Sequence, residues 1–138
     1  MHNFMEINPG QASLVSAEVP LISNQDVAMN IALIKQYHEN IPWRKAEKIV
    51  LEALDRLGLK HIAHKRNPSL SGEERFSVML LRAVMVENSI VMMDRPFKIM
   101  PHLKDSGYIF QTLKKIDDFF VACHIYDYVW MKDKYGEP

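Results

Sequence analysis

The sequence predicts an α/β protein in which a helix-rich first half joins a fragment of parallel sheet with crossover helices. Three observations carry this. Ala46, Ile49, Val50, Ala53, Leu54 and Leu57 repeat at the i, i+3, i+4, i+7 spacing of an amphipathic helix. Ile90-Val91-Met92-Met93 is a short apolar run without alternation, as expected of a strand covered on both faces. Phe119-Phe120-Val121-Ala122-Cys123 is a second such run, and a helical pattern precedes each of the two. Strands alternating with helices imply crossovers, and crossovers make a sheet parallel.

The elements follow in order. Asn8-Pro9-Gly10 signals a turn, and Ser13-Leu14-Val15-Ser16 reads as a short strand. Ser23 or Asn24 can cap a helix running to about Tyr37, with Val27, Ile31 and Ile34 on one face. Pro42 starts a second helix, which Gly58 stops because glycine adopts positive φ at little cost. Ser71 to about Val86 reads as a third helix. Its opening Ser71 and Glu74 have the spacing of a capping box, in which each side chain satisfies an orphan amide. The strand over 90–93 ends at Asp94, a helix is expected over 104–117, and Tyr128-Val129-Trp130-Met131 reads as a further strand. Residues about 20–88 then form a helical lobe and about 89–138 the sheet half.

Composition narrows the function classes. A chain of 138 residues reads as a single domain. With 48% hydrophobic and 25% charged residues it has the balance of a folded globular protein, not a disordered one. Seventeen basic and seventeen acidic residues cancel, which argues against nucleic acid or anionic lipid as a partner. No apolar run approaches the ~18 residues of a membrane span, so direct membrane insertion is not expected. The lone Cys123 leaves no internal disulfide and suits a reducing cytoplasm. His61 and His64 lie three apart without an acidic or cysteine partner nearby, a poor metal site. Cys123-His124 continues a strand, so a Cys–His nucleophile is not expected either.

The motifs carry more. Leu70-Ser71-Gly72-Glu73-Glu74-Arg75 is by itself a capped helix start. Yet LSGEERFSVMLLRAV over 70–84 resembles the signature LSGGQ and the helix behind it in ABC (ATP-binding-cassette) transporter ATPase subunits. Val91-Met92-Met93-Asp94-Arg95-Pro96-Phe97 resembles that family's Walker B strand, and His124, thirty residues beyond Asp94, its switch histidine. Pro20 to Asn24 and Asn30 to Leu33 resemble the stretch after its Q-loop. The resemblance covers roughly residues 14–133 and is similar to the C-terminal portion of the family's P-loop NTPase-like domain. It implies that Ser71, Gly72 and Glu73 would meet nucleotide in trans, and that Asp94 would hold Mg²⁺ through water if nucleotide binds.

Departures from that pattern shape the expectation. None of the five glycines belongs to a GxxxxGK[ST] phosphate loop, so the Walker A and antiparallel β region is absent from the chain. Ala17 falls where the Q-loop glutamine should be, and Pro101 at the D-loop aspartate position. Glu73 replaces the second signature glycine, putting a carboxylate where a γ-phosphate would dock. Arg95 replaces the catalytic glutamate, a cation where a carboxylate should polarise water. Losing one such stabilising group commonly costs about 2.7–4 kcal/mol.

The expectation is a degenerate, non-hydrolysing partner or regulator in an ABC-type assembly. Mg-ATP would bind only together with a Walker A-containing partner. Its partners would be an ABC-type ATPase subunit, a membrane permease met at the inner face of the membrane, or a second copy of itself. One alternative is a self-associating module without nucleotide. Another is part of a competent ATPase completed by another chain. The open sheet also leads to the expectation that the chain does not persist as a monomer.

Overall fold

The computed structural model describes residues 12–136. Its sheet has three parallel strands, β1 (Ala12–Ser16), β2 (Ser89–Asp94) and β3 (Phe120–Tyr126), in the order β1-β2-β3. Three helices, α1 (Val27–Glu39), α2 (Trp43–Arg56) and α3 (Gly72–Val84), connect β1 to β2. One helix, α4 (Gly107–Lys115), connects β2 to β3. The expected parallel α/β architecture is therefore present. The Asn8-Pro9-Gly10 turn lies outside the described residues.

Strand β2 is hydrogen-bonded on both sides, and Val91, Met92 and Met93 are fully buried. This is why its sequence shows no polar alternation. The same inference fails for β3. Val121 is 67% exposed, and β3 pairs only with β2 among the described residues. A short apolar run reads alike on a central and on an edge strand, so periodicity could not separate them.

A second expectation is overturned at Tyr128-Val129-Trp130-Met131. No strand forms there; residues Val129–Tyr135 make a 3₁₀ helix. Met131 N–H donates to Tyr128 O at 3.0 Å, and the Tyr135 hydroxyl donates to Asp127 Oδ2 at 2.6 Å. Lys134 Nζ lies 4.7 Å from the Phe97 ring centre and donates to Leu103 O. These ties hold the segment against the loop after β2.

Helix boundaries follow their caps. Helix α1 starts later than Ser23 or Asn24 would place it, because Asp26 Oδ1 accepts from Met29 N at 2.8 Å. The preceding turn is held by buried Asn30, which exchanges hydrogen bonds with both backbone groups of Ile22. Pro42 caps α2, and Ala46, Val50, Ala53 and Leu54 form its buried face. Gly58 follows with φ of +71°. The capping box of α3 is complete: Glu74 N donates to Ser71 Oγ at 3.1 Å, and Ser71 N to Glu74 Oε1 at 2.9 Å. Helix α4 is shorter than the expected 104–117, since Asp105 Oδ1 takes the Gly107 N–H and turns the chain first. One apolar cluster runs from Val15 through α1–α3 to Ile116.

Gly72 opens α3 under a close contact. A Cβ there would lie 2.9 Å from Ile99 O and 3.3 Å from His102 Cε1. Glycine-to-alanine in a helix ordinarily stabilises by about 0.5–1 kcal/mol. Here the sign should reverse, because a backbone oxygen cannot rotate out of the way. We expect Gly72→Ala to lower unfolding stability by about 1–3 kcal/mol, read from urea denaturation; a variant as stable as the native chain would refute the contact.

Candidate functional site

The in-register pairing of the strands places Ser16, Asp94 and Tyr126 side by side at the carboxyl ends of β1, β2 and β3. In open α/β sheets this edge is where ligands bind. Ser16 Oγ donates to Asp94 Oδ2 at 2.9 Å and accepts from Glu18 N at 3.1 Å. The chain then turns at Arg95, whose φ of 44° and ψ of 62° lie in the left-handed region. For a non-glycine residue that conformation costs on the order of 1–2 kcal/mol. Two contacts offset it. Arg95 N–H donates to Tyr126 O at 2.7 Å, and the turn folds the guanidinium back onto the preceding residue.

That side chain meets Asp94 as a two-pronged fork. Arg95 Nε donates to Asp94 Oδ1 at 2.8 Å and Nη2 to Oδ2 at 3.0 Å. Its remaining nitrogen, Nη1, donates to the Tyr128 hydroxyl at 3.0 Å. Tyr128 in turn stacks on Trp130, with ring centres 4.4 Å apart and planes 9° apart. The Arg95 fork holds the Asp94 carboxyl below the usual carboxylate range; partial burial opposes this, and the Ser16 hydroxyl adds to it. Asp94 and Tyr128 reciprocally push the guanidinium pKa up. Charge-assisted forks of this geometry are stronger than neutral hydrogen bonds.

The signature-like residues form a separate cluster at the start of α3. Ser71 is spent on the cap. Gly72 abuts Ile99 O, and Glu73 Oε1 lies 2.8 Å from His102 Nε2. The Tyr108 hydroxyl, 2.6 Å from Ser77 Oγ, donates to Glu73 O at 3.3 Å. The structure thus brings Asp94 together with Arg95, and Ser71 with Gly72 and Glu73. Exposed His124 sits in β3 opposite Met92, two positions before the strand end.

Among the described residues, no group of three or more His, Cys, Asp or Glu is arranged to hold a metal ion. His64 Nδ1 lies 3.4 Å from Asp26 Oδ2, away from the strand ends. Burial pushes the Cys123 thiol up to about 11, the wrong direction for a nucleophile. Sequence reasoning missed Ser16, Tyr128 and His102. Ser16 carries no motif of its own. Tyr128 was expected in a strand, which would have pointed it elsewhere. Pro101 drew attention from its neighbour His102.

Comparison with known proteins bears on the fold and on the relatives of the chain. No protein-family profile matches the chain. It is 28% identical over 114 residues to the molybdate/tungstate import ATP-binding protein of Pyrococcus horikoshii, covering 82% of this chain and 33% of the relative. It is 28% identical over 98 residues to the nitrate import ATP-binding protein of Synechocystis sp., covering 70% of this chain and 15% of that one. It is 29% identical over 90 residues to the phosphonates import ATP-binding protein of Escherichia coli, covering 62% and 34%. The chain therefore spans about a third or less of these relatives' length. A solved dimeric ATP-binding cassette in a post-hydrolysis state with ADP and Pi superposes with a TM-score of 0.61 at 23% identity, covering 91% of this chain and 56% of that one. Homologues of the chain are ABC transporter ATP-binding subunits, and its fold is the P-loop NTPase-like fold of an ABC ATPase, in part. No helix among the described residues is long and apolar enough to cross a membrane.

The fork has a pH consequence. Because the folded-state pKa of Asp94 is lowered, its contribution is fully present above the unfolded-state value of about 3.9 and is lost as pH falls through the folded-state value. Asp94→Asn should cost about 1–2 kcal/mol near neutral pH. The deficit should shrink steadily below about pH 4. Guanidinium unfolding of both chains across this range measures it; a deficit independent of pH would show that the charge of Asp94 is not what holds Arg95.

Proposed function

We propose that the chain acts as a non-hydrolysing, ABC-ATP-binding-subunit-like partner or regulator in an ABC-type assembly. The observation that carries this reading is the Arg95–Asp94 fork. In the family resembled, the residue after the Walker B aspartate is a glutamate that polarises the attacking water. Here that position holds a permanent cation, and it occupies both oxygens of the preceding carboxylate. A guanidinium cannot accept a proton from water or orient it as a carboxylate does. Glu73 supports the same reading, since its carboxylate stands at the α3 N-terminus where a phosphate would otherwise dock.

In this reading the helices α1 and α2 form the face that meets a partner subunit or permease, at the inner side of a membrane. Tyr37, 82% exposed at the end of α1, belongs to that face. Mg-ATP would be engaged only in a complex whose other chain supplies a phosphate loop.

A specific observation also favours a self-associating module. Strand β3 leaves one edge unpaired among the described residues, and its sequence FVACHIY carries none of the lysine, acidic or proline residues that blunt edges. Val121 within it is exposed, and so are Val129 at 85% and Trp130 at 74% just beyond it. Light scattering of the native chain and of Val121→Lys separates the readings. A concentration-dependent oligomer abolished by Val121→Lys supports self-association through β3.

The main reading predicts no Mg²⁺-dependent ATP turnover above background for the chain. Arg95→Glu alone should not create it, because no phosphate cradle accompanies the change. Turnover in a coupled phosphate-release assay that is abolished by Asp94→Asn would overturn it. Capture from the source cells should recover an ABC-type ATPase subunit or permease, and recovery of neither would remove the partner role.

A further inference from the structure

The fold family implies a Mg²⁺ ion beside Asp94, and the residues present can be tested against it. Magnesium demands octahedral oxygen geometry at about 2.0–2.1 Å, with one or two carboxylates and several retained waters. Asp94 has little left to offer either the ion or one of its waters, since only one acceptor site on Oδ1 remains unused. Oδ1 takes the Arg95 Nε–H at 2.8 Å, while Oδ2 takes Nη2–H at 3.0 Å and the Ser16 hydroxyl at 2.9 Å. Glu18 is the other carboxylate at hand, but it is 68% exposed and faces Arg95 at 3.8 Å and Lys98 at 4.0 Å. A dication entering here would displace the fork yet remain beside its charge. The left-handed turn and the Tyr128 hydroxyl both keep the guanidinium in place. The donor set does not fit the metal.

We propose that Arg95 is a resident counter-ion at this site: its guanidinium neutralises Asp94 in place of a divalent metal, and the strand ends bind none. Asp94 then serves as a joint that ties β1 through Ser16, β2 through its own backbone and the Tyr128–Trp130 segment through Arg95. This deepens the proposed function and rests on it for the identity of the site. It concerns metal alone, so it can fail while the partner role stands.

The test uses Mn²⁺ as the probe, without nucleotide or partner. By electron paramagnetic resonance the native chain should bind no Mn²⁺ that Asp94→Asn removes. Arg95→Ala should gain a Mn²⁺ site at least roughly tenfold tighter than any residual binding of the native chain, a change of about 1.4 kcal/mol, and Asp94→Asn added to it should abolish the gain. Asp94-dependent Mn²⁺ binding by the native chain overturns the proposal, and so does a folded Arg95→Ala that gains nothing. Should Arg95→Ala fail to fold, the native chain decides by itself. Its Arg95 Nε–H resonance should not move in millimolar Mg²⁺, and a saturable shift would overturn the assignment.

Discussion

Strand β2 is hydrogen-bonded to a parallel neighbour on each side, and every other placement in the site follows from its register. Ser16 stands opposite Asp94, and Asp94 opposite Tyr126. Because all three strands run the same way, three chain ends converge at one edge, each needing partners for its last backbone groups. The Tyr126 carbonyl finds one in Arg95 N–H, and that bond fixes the turn in which Arg95 reaches back to Asp94. A one-residue slip of β2 would carry Asp94 to the opposite face and dissolve the cluster. The apolar run of Val91, Met92 and Met93 is buried on both faces and does not fix this register by itself; the bonds of Asp94 to Ser16 and of Arg95 to Tyr126 help to hold it.

The site in turn shows how a left-handed residue is tolerated without glycine. Glycine at this turn would remove the steric cost but could not supply the fork. Arginine accepts a cost of about 1–2 kcal/mol and returns two charge-assisted bonds to Asp94, one hydrogen bond to Tyr128 and one backbone bond to Tyr126. The aromatic pair Tyr128–Trp130 is ordered by the last turn of this chain of contacts. Tyr128 is thus tied through Arg95 to a carboxylate on the neighbouring strand, in addition to the ties that hold the rest of its segment.

Much of the fold was legible because local chemistry and burial agreed. The α2 stripe, the α3 capping box and the apolar β2 each signal their state independently of tertiary context. The α1 cap was misplaced because Asn30, a residue inside the helix, holds the turn where Ser23 and Asn24 offered a cap. The segment 128–131 differs from the expected strand because four apolar residues suit a strand or a 3₁₀ turn, and what decides is Asp127 beside it together with Leu103 and Phe97, distant in sequence. Site residues identified by motif, Asp94, Arg95, Ser71, Gly72 and Glu73, occupy ends of β2 and α3 as expected. Their mutual contacts were not legible. An aspartate followed by arginine reads equally as two solvated charges until the left-handed turn is known.

The two clusters are joined by one stretch of chain. From Arg95 it passes through the Pro96–Lys98 turn, presses Ile99 O against Gly72, and brings His102 to Glu73 before Tyr108 reaches back to the Glu73 carbonyl. Of the charges that depart from the family resembled, Arg95 begins this stretch and Glu73 is contacted from its far part. Each has an internal partner there, Asp94 for one and His102 for the other. An unpartnered charge at either place would repel or attract ions from solvent; a partnered one does neither at short range. Arg95 and His102, the partners of Asp94 and Glu73, both belong to this stretch. The Pro96–Lys98 turn is thus the covalent link between the Arg95–Asp94 fork and the Ile99 carbonyl that abuts Gly72.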